Sequence, residues 1–271
     1  MKRQSSSISK YLLNISEIAI ITGDNKFKTR NEYLIDFWKK HDKEDFEKYR
    51  ELTNFVKLND EDKIKDISVK NNIDIKTELQ NCEKTTNVTE LNNLKKNIME
   101  KVENLNESAK KEILKSIDNV TNTNFGTRNE TDVLKIYEEL KGVSIIKDNI
   151  YRKKKIIESI NFSVCIGGKI DGINNETETI IEIKNRMHKL FYDLREYEKV
   201  QLMCYMYLLN KKNGHLVEAI KKLTETTINI IEVEYDENYM NSILQKIEEF
   251  CAFYYDFIKN HELKINLLTS Q

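Results

Sequence analysis

The sequence contains no proline and only seven glycines among its 271 residues. Its four cysteines and four histidines form no close pair or cluster, so neither a zinc site nor a disulfide framework is predicted. No apolar run approaches the roughly 20 residues needed to span a bilayer, and the N-terminus lacks the apolar stretch of a secretory signal. We therefore expect an intracellular protein with no membrane partner.

A strong charge of one sign is also absent, because the 44 basic residues nearly balance the 45 acidic ones and the net charge is -1. Nucleic-acid binding usually requires a basic surface, so any such surface in this chain must be local. Basic residues concentrate at Lys153-Lys154-Lys155 and again around Lys184 and Arg186. An ordinary solvated strand end explains the triple lysine equally well.

Two consecutive strands are predicted in the second half of the chain. Apolar residues alternate with small or polar ones over 162–171, which predicts a strand that buries one face and presents Asp171 on the other. Asn174-Asn175 suits a short turn. On the strand that follows, Glu182 and Lys184 share one face. If the apolar faces of both strands meet one core, Asp171, Glu182 and Lys184 converge.

Two carboxylates beside a lysine suit metal-assisted hydrolysis of a phosphodiester, because Mg²⁺ prefers oxygen ligands and an ammonium group orients water. A helix is predicted next, with Gln201 and Tyr205 on one face. The pattern Asp, Glu-x-Lys, Gln-x-x-x-Tyr resembles the core of the PD-(D/E)XK nuclease superfamily. The resemblance implies that Asp171 and Glu182 bind Mg²⁺, or Mn²⁺ in its place, and that Lys184 acts on the nucleophilic water.

The same resemblance implies roles for neighbouring groups. The Ile183 main-chain carbonyl is an additional metal ligand, Gln201 orients Lys184 or a phosphate, and Tyr205 supports its helix face or contacts DNA. The ordinary alternative is a solvated strand face, which an isolated Glu-x-Lys in a chain that is 33% charged would usually be.

A further helix is predicted to begin near Thr127 and to place Glu130 in its first turn. Gly126-x-x-x-Glu130 followed by an amphipathic helix is similar to the glutamate-bearing helix of the phage-lambda-type, or YqaJ-like viral recombinase, exonucleases. In that family the glutamate helps to complete the metal site. Taken alone, a glutamate in the first turn is explained by the helix dipole.

The N-terminal stretch ISEIAIITGDNKFKT also resembles that family's opening serine-containing helix and glycine turn, where the serine and a preceding arginine contact DNA phosphate. Ser16 matches the serine and is predicted to cap a helix, Gly23 to end it, and Thr29 to cap the next. Ser9-Lys10 stands where the arginine would be. The residues expected to contact DNA are Ser16, Arg128, Lys153, Lys154, Arg186 and Tyr205.

Residues 59–122 are rich in Asn, Lys, Glu and Thr and contain no glycine. Apolar positions at steps of three or four residues from Leu91 to Leu105 predict an amphipathic helix. We expect a helical insertion with a less ordered beginning near 66–88, which packs against the main body or provides a partner surface.

The predicted fold is α/β, with a restriction-endonuclease-like core whose mixed central sheet is flanked by helices, plus an inserted helical lobe. Residues 1–58 form a helical part of the nuclease domain, 59–122 the insertion and 123–271 the nuclease core. The resemblance covers about 11–40 and 124–258.

The resemblance implies a Mg²⁺-dependent exonuclease that digests double-stranded DNA from 5′ ends in viral or phage-like recombination, repair or replication. The alternatives are a structure-specific endonuclease, a catalytically silent DNA-binding or scaffolding protein, and an interaction protein built on the helical region. Expected partners are double-stranded DNA, with a homo-oligomer or a single-strand annealing protein. The location would be the cytoplasm or the nucleus of a host cell if the protein is viral.

Overall fold

The structure is a computed structural model that describes residues 8–270 except 86, 129, 148–149, 175 and 223–224, without the side chains of 122–128. Its described strands are β1 (Ser9–Asn14), β2 (Arg152–Glu158), β3 (Phe162–Gly168), β4 (Gly172–Asn174), β5 (Thr179–Asn185), β6 (Asn213–Lys222) and β7 (Glu225–Glu234). Its described helices are α1 (Ile18–Ile21), α2 (Arg30–His41), α3 (Lys43–Thr53), α4 (Asp60–Asn71), α5 (Lys76–Lys84), α6 (Val88–Lys101), α7 (Glu107–Arg128), α8 (Glu130–Lys141), α9 (Glu196–Leu209), α10 (Glu237–Phe257) and α11 (His261–Thr269).

The strands form two mixed sheets, one in the order β1-β3-β2 and one in the order β4-β5-β6-β7. β1 lies parallel to β3, and β5 lies parallel to β6, while the other pairs are antiparallel. Helix α9 connects β5 to β6, as a parallel pair requires. The predicted α/β fold with mixed strand pairing and flanking helices is confirmed.

Two helices cover opposite faces of the four-stranded sheet at β5. Ile181 and Ile183 are buried in a cluster with Val133 and Leu134 of α8. Ile180 instead belongs to the main core, which contains the buried residues of α9. Because strand side chains alternate, Glu182 and Lys184 share the α9 side of β5 with Ile180. The apolar residues of the two predicted strands therefore belong to two different cores: those of 162–170 lie in the main core, and Ile181 and Ile183 lie in the cluster with α8.

Two strand predictions require correction. The strand that begins at Phe162 ends at Gly168, and the chain resumes as β4 at Gly172, so that Asp171 lies in the short link between them. The N-terminal segment that was predicted to be helical begins instead with β1, which is held by parallel pairing to β3. Ser16 lies in the 3-10 turn Ile15–Glu17, where its side chain caps no helix.

The other N-terminal predictions are confirmed. Gly23 has a φ of +85° directly after the first helix, a conformation that glycine adopts without strain. Thr29 caps α2 through a capping box, in which its hydroxyl accepts from the Glu32 N–H and the Glu32 carboxylate accepts from the Thr29 N–H.

A second cluster of buried residues lies within the predicted helical lobe. It is formed by Ile64, Ile67, Ile75, Cys82, Val88, Leu91, Ile98, Val102, Ile113 and Ile117, joined by Leu190 and Ile220. Residues 66–88, predicted to be less ordered, contain the second half of α4 and all of α5 in the described part. The predicted boundary at 122/123 falls inside α7.

Asparagine explains how helices end in a chain so poor in glycine. Asn54, Asn72 and Asn210 each occupy the C-cap of a helix with φ between 52° and 54°. Asparagine tolerates this left-handed conformation better than other non-glycine residues. Asn59 caps the start of α4 by accepting from the Asp62 N–H. Among the described residues, no helix is both long enough and apolar enough to cross a membrane.

Candidate active site

Asp171 is tied to the strand that carries the other site residues. Its Oδ2 accepts a hydrogen bond of 2.7 Å from the main-chain N–H of Ile183 on β5. The β4–β5 pairing ends at Gly172 and Ile181, so this carboxylate takes the place of a further strand partner. A strand residue presents its N–H and C=O to the same neighbour, and the Ile183 carbonyl therefore faces the Asp171 side as well.

Glu182, Lys184 and Gln201 form a closed set of hydrogen bonds between β5 and α9. The Lys184 ammonium group donates to Glu182 Oε1 at 2.8 Å and to Gln201 Oε1 at 2.9 Å. Gln201 Nε2 donates to the same Glu182 Oε1 at 2.8 Å. The structure thus brings these three predicted residues into direct contact.

The second carboxylate oxygen of Glu182 has a different environment. Glu182 Oε2 is buried and has no hydrogen-bond partner among the described residues. Burial, partly opposed by the Lys184 charge, raises the pKa of Glu182 to about 7. A buried carboxylate oxygen without a donor is costly in a folded protein. A cation bound at this oxygen would remove that cost.

Asp171 and Glu130 belong to the same electrostatic group. Burial raises the pKa of Asp171 to about 6, with the Glu130 charge adding to the effect and the Ile183 N–H opposing it. Burial likewise raises the pKa of Glu130, and the Glu182 charge raises it further. Glu130 is the first residue of α8, and Gly126 lies within α7 instead of preceding a new helix near Thr127.

Lys184 carries the counter-charge of this group. Burial acts to lower its pKa, but the carboxylates of Glu182 and Asp171 outweigh burial and hold the pKa above its usual value. The side chain therefore stays an ammonium group near neutral pH. It can donate hydrogen bonds to water or to a phosphate oxygen, and it is unsuited to removing a proton.

The donor set matches a hard divalent cation in chemistry. In the described part of the chain, no three His, Cys, Asp or Glu side chains stand together as a finished metal site. Nevertheless, Asp171 supplies a half-buried carboxylate and Glu182 a buried one, whose Oε2 has no hydrogen-bond partner among the described residues. The Ile183 carbonyl faces the Asp171 side. Oxygen ligands of this kind suit Mg²⁺, which also retains several waters.

Arg186 was predicted to contact DNA, and the structure assigns it a different position. Its side chain is only 10% exposed and forms two hydrogen bonds, of 2.7 and 2.9 Å, to the carboxylate of Glu198. It also donates to Glu218 at 2.8 Å. Both glutamates are fully buried. A phosphate would have to displace these partners, so the prediction for Arg186 is wrong.

Two further DNA-contact predictions conflict with burial or with hydrogen bonding. Lys154 donates to the Tyr207 carbonyl and to Asn210 Oδ1, both at 2.8 Å, and so binds the C-terminal end of α9. Tyr205 is only 4% exposed, and its ring lies against Gly168, where an added Cβ would come within 2.8 Å. Tyr205 thus supports the helix face, which was the other role predicted for it.

Three predicted DNA contacts remain, at Ser16, Lys153 and Arg128. Ser16 and Lys153 are exposed. The side chain of Arg128 lies outside the described residues. Sequence reasoning missed the buried set of Arg186, Glu198 and Glu218. No motif marks either glutamate, since Glu198 lies among charged residues and Glu218 lies between Val217 and Ala219.

No protein-family model matches the chain, and no curated protein matches it. Among solved structures, an alkaline exonuclease from Laribacter hongkongensis is similar over 63% of this chain and 82% of its own, with a TM-score of 0.38 and 14% identity. That protein in complex with dAMP is similar over 49% and 68%, with a TM-score of 0.37 and 17% identity.

A phage-related exonuclease from Haemophilus somnus 129PT is similar over 91% of this chain and 95% of its own, with a TM-score of 0.42 and 11% identity. These likenesses are weak in both TM-score and identity. The geometry around Glu182, and not these likenesses, supports the function proposed below.

Proposed function

We propose that the chain is a divalent-metal-dependent nuclease that hydrolyses phosphodiester bonds in DNA. The observation that carries this proposal is the unequal use of the Glu182 carboxylate. One oxygen is held by Lys184 and Gln201, while the other is buried beside the Asp171 carboxylate and has no hydrogen-bond partner in the described part of the chain. A carboxylate arranged in this way is fixed in position and still has one oxygen free for a cation.

Asp171, Glu182 and the Ile183 carbonyl would hold Mg²⁺, with Mn²⁺ able to replace it and Glu130 completing the set. The ion, when bound, stabilises negative charge on the phosphate and makes a water more acidic. Lys184 donates a hydrogen bond to the attacking water or to a phosphate oxygen. Gln201 keeps the Lys184 ammonium group beside Glu182. Ser16 and Lys153 are exposed and would contact the DNA backbone.

Attack from a 5′ end of duplex DNA is the more specific form of the proposal. It is supported by the sequence resemblance of the Ser16 segment and of the Glu130 helix to phage-lambda-type exonucleases, which act from ends. A role in viral or phage-like recombination, repair or replication goes with it, as does a homo-oligomer or a single-strand annealing partner. A structure-specific endonuclease would use the same Asp171, Glu182 and Lys184.

One gel tests the activity and separates the two kinds of nuclease. Linear duplex, covalently closed circular, nicked and single-stranded DNA are each incubated with Mg²⁺, Mn²⁺, Ca²⁺ or EDTA. We expect Mg²⁺ and Mn²⁺ to support release of short 5′-labelled products from linear duplex while the closed circle stays intact. Ca²⁺ should allow little turnover, because its looser coordination fixes water poorly.

Each other outcome of this gel has a defined meaning. Nicking or linearisation of the closed circle as fast as linear DNA is digested would favour the endonuclease. Full cleavage in EDTA would exclude the metal-dependent mechanism. No cleavage of any of the four DNA forms with any of the ions would contradict the nuclease proposal.

The helical lobe should affect substrate choice or assembly more than hydrolysis. Replacing residues 59–122 by a short flexible linker should leave Mg²⁺-dependent hydrolysis detectable, because Asp171, Glu182, Lys184 and Gln201 all lie outside it. The deletion also uncovers Leu190 and Ile220, which are buried against the lobe. A full-length Leu190→Ser/Ile220→Thr protein is therefore the matched control. A deletion protein that is folded by circular dichroism but wholly inactive, beside an active control, would place the lobe in the active site.

A further inference from the structure

Tyr192 combines an exposed ring with an unfavourable main-chain conformation. Its residue is 70% exposed, and its φ of 58° lies in the left-handed region. A bulky residue other than glycine rarely adopts this conformation, and the surrounding structure must stabilise it. Large apolar rings that face solvent in such a position often contact a ligand.

A fully buried carboxylate holds Tyr192 in this conformation. Glu218 accepts hydrogen bonds from the N–H of Tyr192 at 2.9 Å and from the N–H of Phe191 at 3.1 Å. It also accepts from Arg186 at 2.8 Å and from Asn229 at 3.1 Å. Charge-assisted hydrogen bonds of this kind are stronger than neutral ones. The main chain at Tyr192 is therefore rigid although its ring is in solvent.

The two residues before Tyr192 contact the protein, whereas Tyr192 faces solvent. The guanidinium groups of Arg186 and Arg195 each lie over the Phe191 ring, 4.4 Å from its centroid. Leu190 is buried against the helical lobe. Within segment 186–195, the side chains of Phe191 and Leu190 therefore pack against the protein, while the ring of Tyr192 is exposed.

A second exposed ring contacts the first turn of α9. Phe27 is 79% exposed, and the Asn25 side chain fixes its turn by accepting from the N–H groups of Phe27 and Lys28. The Phe27 ring meets Tyr197 edge-on at 5.6 Å between centroids. Tyr197 is in the first turn of α9, one helical turn before Gln201, which contacts Lys184 and Glu182.

The position of both rings relates them to the candidate active site. Segment 186–195 begins two residues after Lys184 and leads into α9, where Gln201 is located, so the site residues flank it on both sides in sequence. The segment also carries the exposed His188 and Lys189, which suit a phosphate backbone. Rigid aromatic rings beside basic side chains are the usual platform for unpaired bases, because every base has a stacking face.

We infer that Phe27 and Tyr192 form an aromatic ledge on which unpaired nucleotides of a DNA strand stack next to the active site. The inference rests on the proposed nuclease function for its choice of ligand. Its substrate class is DNA with an unpaired end, such as a frayed or overhanging strand. Lys189 contacts the backbone of the same strand.

Binding is measured in EDTA, where no metal-dependent cleavage occurs, so the test does not need the enzyme to be active. The probe is a fluorescent oligothymidylate strand, alone and as the overhang of a duplex, compared with a blunt duplex by anisotropy. We expect Tyr192→Gly and Phe27→Ala each to weaken binding of the unpaired DNA roughly ten-fold or more. Both should leave binding of the blunt duplex little changed.

The choice of glycine separates a binding role from a structural one. Glycine adopts a positive φ freely, so Tyr192→Gly should melt no lower than the wild type while it loses affinity. Tyr192→Phe should bind like the wild type because it keeps the ring. The matched control is Phe253→Ala, an exposed ring near the end of α10. Phe253 suits this purpose because the neighbouring Tyr255 contacts Phe162 at the start of β3, whereas Asp171 follows the other end of that strand.

Wild-type affinity of a folded Tyr192→Gly/Phe27→Ala protein for unpaired DNA would overturn the ledge, and so would an equal loss in Phe253→Ala. Failure of the ledge and of the nuclease proposal can be told apart. If the wild type cleaves DNA with Mg²⁺ but its binding of unpaired DNA does not depend on these rings, only the ledge is contradicted. Ring-dependent binding without cleavage under any metal supports the ledge and contradicts the nuclease.

Discussion

Lys184→Ala should reduce DNA hydrolysis by roughly 10³-fold while DNA binding and divalent-metal binding persist, because removing one positioned hydrogen-bond donor typically costs roughly 10²- to 10³-fold. The ammonium group touches Glu182 Oε1 and Gln201, whereas the oxygen available to a cation is Glu182 Oε2. Removing Lys184 therefore removes the group that acts on water and leaves the cation ligands in place. Single-turnover hydrolysis of a labelled linear duplex measures the loss.

Two controls define what this result means. Lys184→Met keeps much of the side-chain volume without the charge and should be as inactive as Lys184→Ala. Lys154→Ala changes a lysine that binds the end of α9 and should cleave within a few-fold of the wild type. Wild-type cleavage by Lys184→Ala would show that the proposed role of this lysine is wrong.

Asp171→Asn should abolish metal-dependent hydrolysis and, without metal, stabilise the protein at about pH 8. Burial raises the pKa of Asp171 from 3.8 to about 6. A carboxyl whose folded pKa is raised contributes stability that is fully present below its unfolded pKa and is lost as the pH rises through the folded pKa. At about pH 8 the wild type has lost this stability, on the order of 3 kcal/mol. The neutral amide does not lose it and can still accept from the Ile183 N–H.

Thermal unfolding in EDTA tests this prediction across pH. The variant should melt above the wild type at about pH 8, and the difference should shrink towards about pH 4, where the wild-type carboxyl is protonated too. Added Mg²⁺ or Mn²⁺ should stabilise the wild type and not the variant, because a ligand of the folded state raises its stability. A variant that is less stable at about pH 8, or that gains as much as the wild type from metal, would contradict the assignment of Asp171.

Much of the site was predictable because its residues are adjacent in secondary structure. Glu182 and Lys184 share a strand face by alternation alone, and Gln201 lies one turn into the next helix. The placement of Asp171 was less predictable, since the strand ends at Gly168 and the carboxylate replaces a strand partner at Ile183. The alternation of apolar residues carries no information about main-chain N–H groups. It therefore could not predict the hydrogen bond between the Ile183 N–H and Asp171.

Arg186 shows why charge alone misleads. In sequence it extends a basic group, yet Glu198 and Glu218, 12 and 32 residues further along the chain, neutralise it in the interior. Only tertiary structure brings these three together. The order of 66–88 was missed for a different reason, because Asn59 caps the start of α4 and Asn72 caps its end, so the helix has both caps without a glycine. An asparagine-rich segment therefore resembled a loop while it contained helix caps.

We propose that Asp171, Glu182 and Lys184 together hydrolyse DNA with a divalent metal. The most direct measurement is the rate of product release from a labelled linear duplex by the wild type in Mg²⁺ and in EDTA, beside Asp171→Asn and Lys184→Ala in Mg²⁺. We expect product from the wild type in Mg²⁺ alone. Equal rates in EDTA, or wild-type rates from either variant, would contradict it.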